Sequence, residues 1–240
     1  MIDPRIRAIE ERTKDVKRII PVVSGKGGVG KSMISTTLAL LLREKNYRVG
    51  LLDLDFHGAS DHIILNADTS TLPEEEKGVI PSEVSGIKFM SIVFYSQDKP
   101  TPLRGMEISD ALVELMAITR WGPLDFLIID MPPGMGDQFL DLLRFLRRGE
   151  FILVGTPSPL ALNVVNKVLE VLKEQNVKVL GLIENMARDK EFLKELAKKH
   201  SIRYLGKIRL IPNIDYIIGN VEQLLNSEFA QELKKIVERI

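Results

Sequence analysis

Short apolar runs alternate with longer amphipathic stretches along most of the chain. Apolar runs such as "RIIPVVS" and "DFLIID" are short and rich in branched residues, which favours buried strands. The predicted strands are 18–24, 47–55, 86–94, 125–130, 150–155, 178–185 and 202–208. The stretches between them carry apolar residues at helical spacing and predict helices at 31–45, 108–120, 137–148, 160–175 and 227–240. This alternation indicates βαβ units, so we expect an α/β fold with a mostly parallel, twisted sheet flanked by helices on both faces.

A single domain is expected over residues 1–240. Apolar residues make up 45% of the chain, which is enough for a sizeable core, and no repeat or low-complexity tract divides it. Residues 1–16 precede the first strand and are predicted to form a helical extension, because Asp3 and Pro4 are residue types that begin helices. The polar segment "TLPEEEKG" is predicted to be a surface excursion.

The composition excludes several kinds of site. The chain has no cysteine, which removes disulfides, Cys nucleophiles and any cysteine-ligated iron–sulfur cluster. The three histidines, His57, His62 and His200, are scattered and argue against a zinc site. Basic and acidic residues are equal in number, 33 each, so no nucleic-acid partner is expected. The charged N-terminus is not a secretory signal and no apolar run is long enough to span a bilayer, so a cytoplasmic protein is predicted.

The glycine-rich segment "SGKGGVGKS" lies between the first predicted strand and the first long helix. Gly25, Gly30, Lys31 and Ser32 match the phosphate-binding pattern G-x-x-x-x-G-K-[ST]. Glycines let successive N–H groups point at phosphate oxygens, and the helix N-terminus adds a partial positive charge. We expect Lys31 to contact the β- and γ-phosphates of a nucleotide and the Ser32 hydroxyl to bind Mg²⁺. The fold class is therefore predicted to be a P-loop NTPase.

Carboxylates stand at the ends of two further predicted strands. Asp53 and Asp55 end the strand "YRVGLLDLD", and Asp130 ends the strand "DFLIID". Ligand sites of open α/β sheets lie outside the carboxyl ends of the strands, so these side chains are expected near Lys31 and Ser32. Residues two apart on a strand face the same side, which predicts that Asp53 and Asp55 point the same way. The predicted metal-binding residues are Ser32, Asp53 and Asp130.

A second lysine, Lys26, is not required by the phosphate-binding pattern. The form K-G-G-x-G-K-[ST] resembles the deviant Walker A motif of the MinD/ParA/Mrp ATPases. The segments "DLDFHGAS", "RGMEISDALVELMAITRWGPLDFLIIDMPPGMGD", "VGTPSPLALNVVNKVLEVL", "ENMA" and "YLGKIRLIP" follow in order, which is similar to the Mrp/ApbC branch of that family from about residue 17 onward. The resemblance implies that Lys26 crosses a dimer interface to reach the partner's nucleotide.

The resemblance also implies roles for single residues. Asp55 would orient the attacking water, Asp130 would hold Mg²⁺ through water, Gly134 would lie near the γ-phosphate and Asn185 would read the adenine edge. No guanine-specific Asn-Lys-x-Asp motif occurs, so ATP is preferred over GTP. The expected catalytic residues are Lys26, Lys31 and Asp55. The expected nucleotide contacts are Gly25, Lys26, Gly27, Gly28, Val29, Gly30, Lys31, Ser32, Met33, Gly134 and Asn185.

The resemblance predicts a slowly hydrolysing ATPase that acts as a dimerisation switch. ATP would lie at the interface of a homodimer, and an unidentified protein partner would bind one state only. One alternative is a MinD-like spatial regulator at a membrane. One side of the last predicted helix carries an apolar stripe, formed by Phe229, Leu233, Ile236, Val237 and Ile240. Equal numbers of acidic and basic residues on the polar face argue against that membrane role. The other alternative is an ATP sensor without useful turnover, against which Asp55 argues.

The chain departs from the Mrp/ApbC pattern at three places. Family members that bind and transfer iron–sulfur clusters typically carry a Cys-x-x-Cys pair shortly after "ENM", whereas here Met186 is followed by "ARDKEFLKELAKKHS". Ala59 stands where proline is common, and Met135 stands where threonine is usual. Cluster binding by this chain in the usual way is therefore not expected. An accessory role in iron–sulfur maturation stays open, with another protein supplying the thiolates.

Overall fold

The computed structural model describes residues 3–96, 103, 105–188 and 191–240. In that part of the chain, eight strands form one sheet in the order β3-β4-β2-β5-β1-β6-β7-β8. The strands are β1 Val16–Ser24, β2 Val49–Asp53, β3 Ser82–Val84, β4 Ile87–Ser91, β5 Leu124–Asp130, β6 Glu150–Gly155, β7 Lys178–Ala187 and β8 Tyr204–Arg209. All neighbouring strands are parallel except β3, which is antiparallel to β4. The predicted mostly parallel sheet is confirmed.

Helices pack on both faces of this sheet. They are α1 Pro4–Thr13, α2 Lys31–Glu44, α3 Asp61–Leu65, α4 Val93–Ser96, α5 Met106–Ile118, α6 Asp137–Leu143, α7 Pro159–Glu174, α8 Phe192–Lys199, α9 Val221–Asn226 and α10 Glu228–Val237, with a 3₁₀ turn at Ile214–Ile217. α2, α9 and α10 contact one another, α5 contacts both α1 and α6, and α7 contacts α8. Asp3 caps α1 through a hydrogen bond from the Arg5 N–H, as its residue type predicted.

The predicted strand at 86–94 and the predicted helix at 137–148 end earlier than expected, and one short strand was not predicted. The strand predicted for 86–94 ends at Ser91, and Val93–Ser96 form the short helix α4. The helix predicted for 137–148 ends at Leu143. The strand β3 was not predicted; it pairs with β4 through a two-residue turn in which Ser85 and Gly86 both have positive φ, +50° and +73°. Such turns match the twist of the paired strands, but three residues are too few to give a period-two signal.

The carboxyl ends of three central strands meet at one edge of the sheet. β1 lies between β5 and β6, and β5 pairs on its other side with β2. Asp130 at the end of β5 is in register with Asp53 of β2 and with Val22 of β1. This alignment brings the two strand-end carboxylates together and places both beside the loop that leaves β1.

Both terminal helices belong to the main core. Ile9 of α1 is buried in the same apolar cluster as the sheet, and the Arg5 guanidinium is ion-paired with Asp110 of α5. In α10, Phe229, Leu233, Ile236 and Val237 are buried. The helix packs against α2 and β8, so the apolar stripe that suggested a membrane-binding helix faces the protein interior. Among the helices of the described residues, none combines the length and apolar character needed to cross a membrane.

Candidate functional site

The phosphate-binding segment forms the connection between β1 and α2, as the motif predicted. Gly28 and Gly30 have φ values of +72° and +79°, in the left-handed region that favours glycine, and Gly30 is the N-cap of α2. α2 begins at Lys31 and continues for 14 residues, so its N-terminal N–H groups and its dipole face the loop. The backbone therefore has the form of an anion-binding cradle.

This loop forms one wall of an open cleft of about 560 Å³. Residues that follow β2, together with Pro133 and Ile218, complete the lining. The volume lies in the range of small-molecule sites. The lining residues are Ser24, Lys26, Gly27, Gly28, Val29, Gly30, Lys31, Ser32, Met33, Asp55, His57, Gly58, Ser60, Ile63, Ile64, Pro133 and Ile218. The residues predicted to contact nucleotide or metal that are not part of this lining are Gly25, Asp53, Asp130, Gly134 and Asn185.

Asp130 is the centre of a hydrogen-bond network under the loop. Its Oδ2 accepts from the Lys31 ammonium at 2.8 Å and from the Ser32 hydroxyl at 2.7 Å, and its Oδ1 accepts from the Ser35 hydroxyl at 2.7 Å. Burial is the largest single influence and disfavours the charged form of Lys31, but the neighbouring carboxylates, Asp130 foremost, together raise the pKa of the lysine. Lys31 is therefore held charged beneath the loop, as the motif requires.

The two aspartates after β2 occupy different environments. β2 ends at Asp53, so the period-two argument does not extend to Asp55. Asp53 is fully buried, and its Oδ1 accepts from the Asp55 N–H at 3.0 Å. Asp55 is 9% exposed and lines the cleft, where its Oδ1 accepts from the Gly58 N–H at 3.0 Å. Only the second of these carboxylates is placed to meet a ligand in the cleft directly.

A third buried carboxylate, Asp61, was missed by the sequence analysis. It begins α3 and is fully buried, and its Oδ1 accepts from the Thr36 hydroxyl of α2 at 2.8 Å. Burial, reinforced by Asp130, raises the pKa of Asp53 to about 8 and the pKa of Asp61 well above its usual range. In sequence an Asp at a helix start indicates only a cap, so no local signal distinguishes Asp61.

Gly134, predicted to lie near the γ-phosphate, and Asn185, predicted to read the adenine edge, both form hydrogen bonds within the chain. Gly134 has a φ of +85°, and its N–H donates to the Ser24 carbonyl at 2.9 Å. Asn185 is buried, and its Nδ2 donates to the Val29 carbonyl at 2.8 Å. A Cβ on Gly30 would lie 2.3 Å from that Nδ2, so the loop glycine allows the close approach. Asn185 therefore braces the phosphate loop from behind.

Comparison with known proteins identifies the family. A family model described as ParA: NUBPL iron-transfer P-loop NTPase matches residues 15–240. The chain belongs to this family. The resemblance inferred from the motifs is confirmed, and with it the P-loop NTPase fold.

Sequence relatives within the family differ in length. An iron-sulfur cluster carrier protein of Aquifex aeolicus is 37% identical over 242 residues, covering 94% of this chain and 66% of the relative. A protein of Drosophila ananassae named cytosolic Fe-S cluster assembly factor Nubp2 homolog is 33% identical over 250 residues, covering 94% of this chain and 96% of the relative. The chain thus spans just under two thirds of the Aquifex carrier's length and nearly all of the Drosophila protein's.

Solved structures agree with this assignment. A nucleotide-binding protein of Archaeoglobus fulgidus in complex with ADP is 29% identical, with a TM-score of 0.80 and coverage of 95% of this chain and 96% of that one. The septum site-determining protein MinD of Pyrococcus horikoshii, in complex with Mg-ADP, has a TM-score of 0.69 at 23% identity, covering 92% of this chain and 94% of its own. The second likeness shows the shared fold alone.

Proposed function

We propose that this chain binds ATP and Mg²⁺ in the cleft, hydrolyses the ATP slowly and acts as a nucleotide-dependent dimerisation switch in iron–sulfur cluster assembly. The observation that carries the proposal is the buried Lys31, Ser32 and Asp130 network under a glycine loop that begins a helix. The P-loop NTPase family to which the chain belongs supports nucleotide binding.

Binding of the phosphates would give the Lys31 ammonium a second anionic partner beside Asp130. The ammonium is 5% exposed and pairs with Asp130, and the residue also lines the cleft. A phosphate oxygen offers the ammonium a second anion, while the loop N–H groups and the α2 N-terminus neutralise the remaining charge. The cost of desolvating the lysine is already met in the folded chain, so little reorganisation accompanies nucleotide binding.

The oxygen atoms around Asp130 fit a magnesium ion. Mg²⁺ prefers hydroxyl and carboxylate oxygens, and Ser32 and Asp130 supply both types within one hydrogen-bonded unit. Ser32 and Asp130 would hold the ion, with Asp53 beside Asp130 in the sheet register. When bound, Mg²⁺ supplies positive charge to the β- and γ-phosphates.

Asp55 would orient the attacking water. The residue lines the cleft together with the phosphate loop, and its Oδ1 accepts a hydrogen bond from the Gly58 N–H. A carboxylate so held accepts a hydrogen bond from water and directs the lone pair of the water oxygen toward phosphorus. The residue does not need to approach the phosphates itself.

Lys26 is the residue that links nucleotide to dimerisation. It is exposed, lines the cleft, and its ammonium makes no recorded hydrogen bond or ion pair within the described residues. Lys31 already supplies positive charge on the near side of the phosphates, so a second cation is repelled unless another anion is present. The triphosphate bound by a second copy supplies that anion, and two-fold symmetry gives each nucleotide one extra lysine.

The link to iron–sulfur chemistry rests on the relatives, whose names describe cluster carriers and assembly factors. Without a cysteine the chain offers no thiolate, so a protein partner would supply the cluster ligands. The role proposed here is therefore accessory: the nucleotide state of the switch would control when that partner binds.

Sedimentation velocity of the wild-type protein tests the switch directly. We expect monomer without nucleotide, dimer with Mg²⁺ and a slowly hydrolysed ATP analogue, and slow phosphate release with ATP. An unchanged sedimentation coefficient with the bound analogue would refute the dimerisation switch. Anaerobic incubation with iron and sulfide should give no stoichiometric cluster on the isolated chain, and a stable cluster spectrum would refute the accessory role.

A further inference from the structure

Three buried carboxylates lie together beneath the phosphate loop. Asp53, Asp61 and Asp130 are each fully buried, and each offers an oxygen within 4.8 Å of an oxygen from both others. They come from three separate elements, because Asp53 ends β2, Asp130 ends β5 and Asp61 begins α3. The cluster is thus a product of the tertiary fold.

Only one of the three carboxyl groups has an ion-paired partner. Among the described residues, that pair joins Lys31 to Asp130. Asp53 and Asp61 are buried without such a cation, and their raised pKa values favour the protonated form while the cluster is empty. A divalent cation would displace those protons and balance the charge of the carboxylates that it binds.

Asp61 provides an independent indication of a missing ligand. Its Oδ1 accepts from Thr36, but its Oδ2 is buried without a hydrogen-bond partner in the described part of the chain. A buried carboxylate oxygen without a donor is rare in folded proteins, because most buried polar atoms are paired. An oxygen in that state, beside two other carboxylates, has the chemistry of a ligand for a hard cation.

We propose that Asp53, Asp61 and Asp130 bind one divalent cation of the Mg²⁺ or Mn²⁺ class in the absence of nucleotide. This goes beyond the nucleotide-linked Mg²⁺ proposed above, since it adds Asp61 and needs no phosphate. The ion has a route of entry, because Ser32 and Lys31 both line the cleft and both contact Asp130. Asp130 is therefore in direct contact with side chains that line the cleft.

Mn²⁺ titration of the nucleotide-free protein tests this inference. Electron paramagnetic resonance measures free Mn²⁺ directly, and we expect one bound ion per chain. Asp61→Asn keeps the shape of the side chain but removes its charge, and should weaken Mn²⁺ binding at least about tenfold, since affinity follows the charge of the ligands. Asp15→Asn is the control, because Asp15 is exposed before the start of β1. Absence of Mn²⁺ binding in the wild type would overturn the proposal, as would an unchanged affinity in a folded Asp61→Asn protein.

Lys31→Met gives a second test of opposite sign. Removing the ammonium leaves the carboxylates with no ion-paired lysine, so Mn²⁺ should bind about tenfold or more tightly than in the wild type. An unchanged or weaker affinity contradicts the cluster as the binding site. This test keeps the proposal falsifiable if Asp61→Asn does not fold. Because it uses no nucleotide, its failure is distinct from failure of the ATPase proposal.

Discussion

The two lysines of the phosphate loop stand only five residues apart but belong to different parts of the site. Lys31 is buried and paired with Asp130. With Ser32 and Ser35 these residues form what we call the floor of the cleft. Lys26 is exposed, and we call its position the rim. In the floor, the oxygens of Asp130 accept hydrogen bonds from Lys31, Ser32 and Ser35 of the same chain. At the rim, the Lys26 ammonium has no ion pair within the described part of the chain and is available to an anion from a second copy. We therefore assign nucleotide binding to the floor, and to the rim the step by which bound nucleotide promotes dimerisation.

Lys31→Met should give the largest effect, because it breaks the floor. The variant loses the ammonium that contacts the phosphates and leaves Asp130 buried without its cation. We expect ATP binding to be lost in calorimetry and the free energy of unfolding to fall by about 3 kcal/mol in urea with EDTA present, as for other broken buried pairs.

Lys45→Met is the matched control for this change. Lys45 is exposed at the opposite end of α2 and should lose neither ATP binding nor stability. If Lys31→Met binds ATP as tightly as the wild type, the floor is not the phosphate site.

Asp55→Ala should separate chemistry from binding. The residue lines the cleft but is not part of the phosphate loop, so ATP affinity should change little. Steady-state phosphate release should fall by about a hundredfold, the scale for losing a group that positions water. Asp15→Ala serves as the control. Normal turnover in Asp55→Ala would remove this carboxylate from the reaction.

Lys26→Ala should change the rim alone. ATP affinity of the isolated chain should stay within about twofold, because Lys31 and the backbone cradle remain. The sedimentation-derived dimer affinity with a slowly hydrolysed analogue should fall by about tenfold, on the scale of one charge-assisted contact. Lys45→Ala is the surface-charge control. Equal dimer affinity in the two variants would show that Lys26 is only a solvent-exposed loop residue with no role in dimerisation.

The sequence predicted the parts of the site that are local in the chain. The loop motif lies within nine residues, Ser24–Ser32, and the strand-end positions of Asp53 and Asp130 follow from runs of apolar residues. Asp61 was missed, because its approach to those carboxylates depends on how α3 packs against α2. The bracing contact of Asn185 spans 156 residues of sequence and is equally invisible to any local pattern.

Asn185→Ala should give the smallest effect and decides between two roles. The structure shows the side chain supporting the loop through the Val29 carbonyl, whereas the family resemblance predicts a contact with adenine. Loss of the support leaves that carbonyl without its donor and should cost about 1 kcal/mol of stability. If Asn185 only braces the loop, ATP and GTP affinities should fall by the same few-fold factor, because both nucleotides use the same phosphates. If it also reads the base, ATP affinity should fall more than GTP affinity, and the nucleotide preference should narrow. Asn226→Ala is the control, since Asn226 makes the same kind of amide-to-carbonyl bond on the exposed surface. Competition between the two nucleotides for a fluorescent analogue measures the ratio, and unchanged affinity for both would exclude Asn185 from either role.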